Sequence, residues 1–319
     1  MLLDPLQLRA NANSSLRRVR KPERVILLHT GVILLLSLLL TGVDYMLDQQ
    51  IGTTGGLSGM GTRSILVTIQ SLLRLTQAVI LPFWQIGYTF YALRVAQGHS
   101  AGISDLMEGF RRFGPILRLK ALTAAMAFLL MLISAYASSF LFMMTPWAVP
   151  IMQQMESLST TIMNEQALLE AFATIVQDSI VPIMILFGLC FLAGGIFLFF
   201  RFRLAELWLM DHPEGGALKA LRASKELMRG NWKAMFRVDL SFWWFYLLDL
   251  LVSILCYGDL ILDAIGLEMT TDAFGTYLLF FCLYAWAQMA LYWWKRNEVS
   301  VTYAHAYLSL LPEEPTEEQ

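Results

Sequence analysis

Four histidines, His29, His99, His212 and His305, carry the most obvious latent chemistry in this sequence. All four fall beside stretches that read as the inner boundary of a membrane, so one shared metal site is geometrically open to them. No two stand at i, i+3 or i, i+4 on a common helix, however, and a His-Glu-x-x-His arrangement is absent. The expectation is therefore polar interface residues and no metal. Cys190, Cys256 and Cys282 all lie in apolar stretches without a Cys-x-x-Cys pair, which reads as packing rather than as a disulfide framework or a zinc site. A Gly-x-Ser-x-Gly elbow, a Walker loop and carboxylates paired at catalytic spacing are all missing. An enzyme is the weakest reading, and no cofactor is implied. Residues 48–63 are rich in glycine (Gly52, Gly55, Gly56, Gly59, Gly61), but a phosphate cradle needs a Walker-type lysine and a preceding strand. A flexible loop is the expectation there.

Polar residues inside apolar stretches say more. Gln70, Arg74 and Gln77 stand at i, i+4 and i+7, sharing one helix face, with Gln85 further on. Asp239 and Asp249 interrupt a later apolar stretch. Charges at membrane depth are costly, and they face a partner or a water-filled cavity. From estimated depths, Arg74 and Asp249 are expected to form a buried ion pair, with Gln70 and Gln77 taking the remaining hydrogen bonds. That seam has two readings: a polar path or amphiphile cleft, or a satisfied contact between packed helices.

The elements that position these residues follow from composition. The chain has 319 residues, 57% hydrophobic and 15% charged, against about 45–50% apolar and about 25% charged in soluble domains. Lipid is the solvent that accommodates the surplus, and the 13% aromatic content excludes disorder. Six stretches approach or exceed the roughly 20 residues needed to span a bilayer: 25–45, 65–93, 116–144, 179–200, 238–257 and 274–294. The N-terminal tail, the second-to-third and fourth-to-fifth connections and the C-terminal end hold 21 of the 23 basic residues. The other three connections hold Arg63 and ten acids. This asymmetry places both termini in the cytoplasm. The first stretch exits through Thr41-Gly42-Val43-Asp44 with no small-residue cleavage site, so it reads as a retained helix, not a signal peptide. The fold class expected is all-α and polytopic, in a bacterial cytoplasmic membrane. A tail at 1–24 precedes a six-span domain at 25–297, and an acidic tail at 298–319 follows. Residues 145–178 open with Pro146-Trp147 and Pro150 and continue with Ile151, Met155, Leu158, Ile162, Leu169, Phe172 and Val176 at helical spacing. They read as an amphipathic helix over the bundle, with a binding lid as the alternative.

The two large inner connections resemble each other. Leu106-Met107-Glu108-Gly109-Phe110-Arg111-Arg112-Phe113 and Leu227-Met228-Arg229-Gly230-Asn231-Trp232-Lys233 share Leu-Met-x-Gly followed by an aromatic and a base. They suggest an internal repeat over 65–144 and 179–257, each copy an amphipathic hairpin helix on the inner interface. In the second copy Ala217, Ala220, Leu221, Ser224, Leu227 and Met228 form one face, and Lys219, Arg222, Lys225, Glu226 and Arg229 the other. Arg111, Arg112, Lys219, Arg222, Lys225 and Arg229 are the expected contacts to anionic lipid headgroups, and the glycine is expected to turn the chain out of the helix.

Several of these residues form a recognisable pattern. Ser224-x-x-Leu227-Met228-x-Gly230, then Phe236 and Leu240-Ser241-Phe242 with Trp243 and Trp244, resembles the bacterial integral membrane family designated domain of unknown function 975. Gly87, Leu93-Arg94 and Leu106-x-x-Gly109-Phe110 resemble its first inner segment. Arg9-Ala10-Asn11-Ala12 is similar to its start, and Val301-Thr302-x-Ala304-x-Ala306-Tyr307 to its end. The resemblance implies six spans and no assigned activity, and carries no catalytic residues over. The family is similar to the membrane part of some glycerophosphodiester phosphodiesterases, whose soluble catalytic domain this chain has no room for. The expected function is a scaffold or accessory subunit that binds another membrane protein, without nucleic acid. The alternative is a transporter or lipid-handling protein, which should show a mid-membrane cavity lined by Arg74, Gln77 and Asp249.

Overall fold

The computed structural model describes residues 4–53, 60–160, 165–258 and 273–312, and every regular element among them is helical. Helix α1 (Pro5–Arg18) starts at a complete signal. Asp4 caps it by accepting from the Leu6 amide at 3.0 Å, Pro5 takes the first helical position, and Arg17 and Arg18 fill the last turn. Lys21, at φ 60°, turns the chain into α2 (Pro22–Thr53), which is followed by α3 (Met60–Ala96). A 3-10 turn (Ile103–Met107) leads into the one-turn α4 (Glu108–Arg111) and then α5 (Phe113–Met143). Next come α6 (Ala148–Thr160), α7 (Glu165–Phe202), α8 (Ala205–Asp211), α9 (Gly216–Met228), α10 (Trp232–Ser241) and α11 (Trp243–Leu255). The chain closes with α12 (Ala273–Leu291), a π-helical turn (Tyr292–Arg296) and α13 (Asn297–Leu310).

Four stretches are long and apolar enough to cross a membrane: Pro22–Leu47, Thr62–Ala96, Phe113–Met143 and Ser179–Asp211. The α10–α11 pair adds a fifth if its 65° bend lies within one span. The continuous helix expected at 238–257 is thus corrected to two helices that meet at Phe242. Neither proline nor glycine marks the bend. Ser241 instead turns its hydroxyl back onto the Val238 carbonyl at 2.7 Å, and Phe242 inserts its ring fully into the core.

The chain forms two compact units, Met1–Ile116 with Leu204–Gln319, and Leu117–Arg203. In the first unit a buried core sits where helix ends converge. Ala12 of α1, Val25 and Ile26 of α2, Tyr88, Tyr91 and Val95 of α3, Leu106, and Val301 of α13 form one buried cluster. Residues from 298 onward are therefore not simply a tail. The first fourteen residues after the π turn are core helix, with Val301, Ala304, Ala306 and Tyr307 wholly buried. The expected N-terminal tail likewise contains α1, which packs on α13 and α3. Residues 313–319 lie outside the described residues.

A reciprocal glycine contact locks the 3-10 turn and α4 onto α3. A Cβ on Gly87 would fall 2.0 Å from the Leu106 carbonyl oxygen, and one on Gly109 would fall 2.0 Å from that of Phe83. The matching glycines of the two similar segments do different work. In the second copy Gly230, at φ 84°, ends a thirteen-residue amphipathic helix, as a C-terminal glycine should. In the first copy Gly109 lies within α4 and serves close backbone packing instead.

The second unit comprises most of α5, together with α6 and α7. Ala148 and Ile151 of α6 bury against Phe142, with Ile183 and Leu186 of α7 packed alongside. The single amphipathic helix expected over 145–178 is corrected to two elements, because α7 begins at Glu165 and runs into the fourth apolar stretch. Of the apolar face expected there, the side chains of Met155, Leu158, Ile162, Leu169, Phe172 and Val176 lie outside the described residues. So do those of the glycines from Gly52 to Gly61 and of Asp259, Asp263, Glu268 and Asp272.

Candidate functional site

At the convergence of helix ends, charges pair across very long sequence separations. Glu298, almost fully buried at the start of α13, accepts from Arg9 of α1 at 3.0 Å and from Lys295 at 2.6 Å. The Arg9 guanidinium also lies 4.8 Å from the centre of the Phe242 ring, at the bend between α10 and α11. One arginine thus ties α1 to both α13 and the bent pair. Asp105 caps the amide of Gly102 at 2.8 Å and accepts from Arg94 at 3.0 Å. Asp211, at the end of α8, accepts from Gln97 at 2.8 Å and from the Tyr307 hydroxyl at 2.9 Å. Burial, then the neighbouring charge of Asp211, push the Tyr307 phenol well above its ordinary range, so it stays a donor.

A second network joins α11, α12, the π turn and the adjoining ends of α2, α3 and α13. Asp249 of α11 accepts from Gln288 of α12 at 2.9 Å, and Tyr292 and Arg296 of the π turn also interact with its charge. Arg296 sits 5.1 Å from the centre of the Tyr292 ring. Tyr88 donates to Asn297 at 2.7 Å, and Asn297 donates to the Pro22 carbonyl at 3.0 Å. The His29 ring stacks on Tyr88 at 4.5 Å and on Trp84 at 6.0 Å. Five buried polar atoms have no hydrogen-bond partner among the described residues: His29 Nδ1, Thr30 Oγ1, Tyr91 Oη, Gln288 Oε1 and Arg296 Nε. Such atoms raise the free energy of the folded state unless water or a ligand group meets them. A π turn at this seam keeps company with functional sites elsewhere.

The structure does not bring Arg74 and Asp249 together as an ion pair. Asp249 belongs to the seam with Gln288, whereas Arg74 and Gln77 line a groove on α3 with Gln85. Gln70 is buried, Gln77 half-buried and Arg74 exposed. Residue spacing gives a position along a helix axis but nothing of azimuth, and azimuth chooses the partner. Arg296, Gln288 and Tyr292 are the seam residues that sequence reasoning missed. The run Lys295-Arg296-Asn297-Glu298 was their signal.

Lys219, Arg222, Lys225 and Arg229 are exposed along α9, while Ala217, Ala220, Leu221, Ser224 and Met228 are buried, chiefly against α8. Arg111 is also exposed. Arg112 points inward, donating to the Met210 carbonyl at 2.6 Å and lying 4.9 Å from the centre of the Phe90 ring. The histidines occupy separate environments. His99 lines a cleft with Arg94 and Arg112, and His212 stacks on Trp208 at 4.8 Å. His305 Nε2 lies 3.1 Å from the Ser15 hydroxyl.

Burial holds His305 below its ordinary value of 6.5. Below that pH the unfolded chain takes up a proton that the folded chain resists, so this group's contribution to stability falls as the solution is acidified. His305→Gln is expected to flatten the slope of melting temperature against pH just below 6.5. An unchanged slope would assign the acid sensitivity to another group.

No curated protein and no solved structure matches the chain. Residues 8–296 match the family described as Protein of unknown function (DUF975). That match covers Arg9, the reciprocal glycines, the bend at Phe242 and the seam through Arg296, and the chain belongs to this family.

Proposed function

We propose that the chain is a six-span protein of the bacterial cytoplasmic membrane, with both termini inside. Its role on this reading is that of a scaffold or accessory subunit binding another membrane protein. The observation that carries the reading is the convergence of the positively charged segments. Ala12, Val95, Leu106 and Val301 share one core, and Arg112 and Gln97 reach Met210 and Asp211. The chain leaves that assembly along α2, α5 and α10 and returns along α3, α7 and α12. Two passes per excursion give six spans, with the bent pair counted as one and α12 as the last. The excess of lysine and arginine assigns the shared side to the cytoplasm.

Support for a scaffold comes from how the charges are used. Arg9, Lys295 and Glu298, Arg94 and Asp105, and Arg112 and Glu108 pair within the chain. They fix a rigid inner platform, which leaves Lys219, Arg222, Lys225 and Arg229 on its surface for anionic headgroups. Extraction of the tagged protein from its native membrane in mild detergent tests this. A second membrane protein is expected to copurify in stoichiometric amount. Recovery of the chain alone, together with solute flux across reconstituted vesicles, would overturn the scaffold in favour of a transporter.

A further inference from the structure

Two cavities on the first unit adjoin at Leu81 of α3, and their linings differ in kind. One, of about 370 Å³, has a wholly apolar wall that includes Leu36 of α2, Ile80 and Trp84 of α3, and Phe110 of α4. The other, of about 350 Å³, runs along α3 from Arg74 through Gln77 and Ala78 to Gln85. Pro82 lies in the same wall, and because proline has no N–H the Ala78 carbonyl, four residues earlier, loses its helical donor.

The dimensions match one leaflet. The apolar stretch Thr62–Ala96 has 35 residues, about 52 Å at helical rise, which exceeds a hydrocarbon core of about 30 Å. Arg74 and Arg94 stand about 30 Å apart along the helix, so together they bracket that core. Arg74 therefore sits at headgroup level on the side opposite Arg94, with an arginine's reach toward the interface. From Arg74 to Trp84 is about 15 Å, the hydrocarbon depth of a single leaflet.

We propose that the two cavities bind one anionic phospholipid from the leaflet at the Arg74 end. The phosphate lies on the Arg74 guanidinium and the ester region lies against Gln77 and the freed Ala78 carbonyl level. One acyl chain passes over Leu81 into the pocket beside Leu36, Trp84 and Phe110. The site is in the opposite leaflet from the basic face of α9, and it requires a lipid rather than free phosphate because the apolar pocket is half of it. Charge complementarity favours the anion: both headgroups offer the guanidinium a phosphate, but the ammonium of a zwitterionic headgroup offsets that charge, whereas an anionic lipid keeps it.

The test uses the full chain released from nanodiscs that contain phosphatidylglycerol and phosphatidylcholine with identical chains, with retained lipid counted by native mass spectrometry. Phosphatidylglycerol is expected to be retained roughly fivefold over phosphatidylcholine. Arg74→Gln should abolish that preference and Arg74→Lys should keep most of it. Leu36→Trp, which fills the apolar pocket and leaves the cation in place, should reduce retention of both lipids. Equal retention of the two lipids by the unmodified chain, or a preference that survives Arg74→Gln, would overturn the proposal. A photo-crosslinker at Gln77 should capture lipid. Capture of a protein there would overturn the lipid site and give the groove to a partner helix instead.

Discussion

Gly109→Ala is expected to destabilise the protein by about 3 kcal/mol, at the severe end of overpacking. The added methyl would fall 2.0 Å from the Phe83 carbonyl oxygen and 3.0 Å from the Gly87 nitrogen, both backbone atoms of α3 that cannot rotate aside. Gly87→Ala should lose a similar amount, because its methyl would meet the Leu106 backbone at 2.0 Å. Both changes prise the same segment off α3, so the double variant should lose less than the sum of the single losses. Gly114→Ala provides the contrast. Nothing lies within 4 Å of a methyl at that position, and since Gly114 is in the first turn of α5 and precedes Pro115, alanine there should change stability by less than about 1 kcal/mol. Melting in detergent separates these outcomes. Equal melting temperatures for Gly109→Ala and Gly114→Ala would mean that the 103–111 segment is not locked as described.

Glu298→Gln is expected to lose about 2–3 kcal/mol, below the full cost of breaking a buried pair because Arg9 retains some contact with water. The carboxylate answers two cations, Arg9 at 3.0 Å and Lys295 at 2.6 Å, and the amide would answer neither charge. Arg9→Met should lose a comparable amount, since it also removes the cation over Phe242. In the Arg9→Met, Glu298→Met pair the losses should fall well short of additive, as two apolar side chains replace a desolvated ion pair. Additive losses would show that Arg9 and Glu298 act separately.

What was legible in the sequence was whatever one helix decides alone. The two faces of α9 follow from 3.6-residue periodicity, so Ala217, Ala220, Leu221, Ser224 and Met228 are buried where the pattern placed them. Pairing between distant elements was not legible. Arg9 and Glu298 are 289 residues apart, and neither spacing nor composition links them. Asp249 was given the wrong partner because residue spacing fixes its place along α11 alone, whereas its hydrogen bond depends on which way α11 is rotated toward α12. The bend at Phe242 has no proline or glycine to announce it. The C-terminal helix was obscured by the acids that follow it, although Val301, Ala304 and Ala306 with Tyr307 lie at spacings that helical packing uses. The short motifs of the family resemblance within the matched residues mark the buried core of the first unit. Arg9, Ala12, Gly87, Leu106, Gly109 and Phe242 meet there or lock its parts together.

The most direct test of the account is the side of the membrane on which the converging ends lie. Single cysteines at Ser14 of α1, Ser100 after α3, Arg63 at the start of α3 and Trp147 before α6 are introduced into a chain lacking Cys190, Cys256 and Cys282. Intact cells are then treated with an impermeant thiol reagent. Arg63→Cys and Trp147→Cys are expected to react from outside, and Ser14→Cys and Ser100→Cys only after the cells are opened. Labelling of Ser100→Cys from outside, or of Ser14→Cys and Ser100→Cys on opposite sides, would contradict the six-span arrangement and the shared inner core on which the proposed role rests.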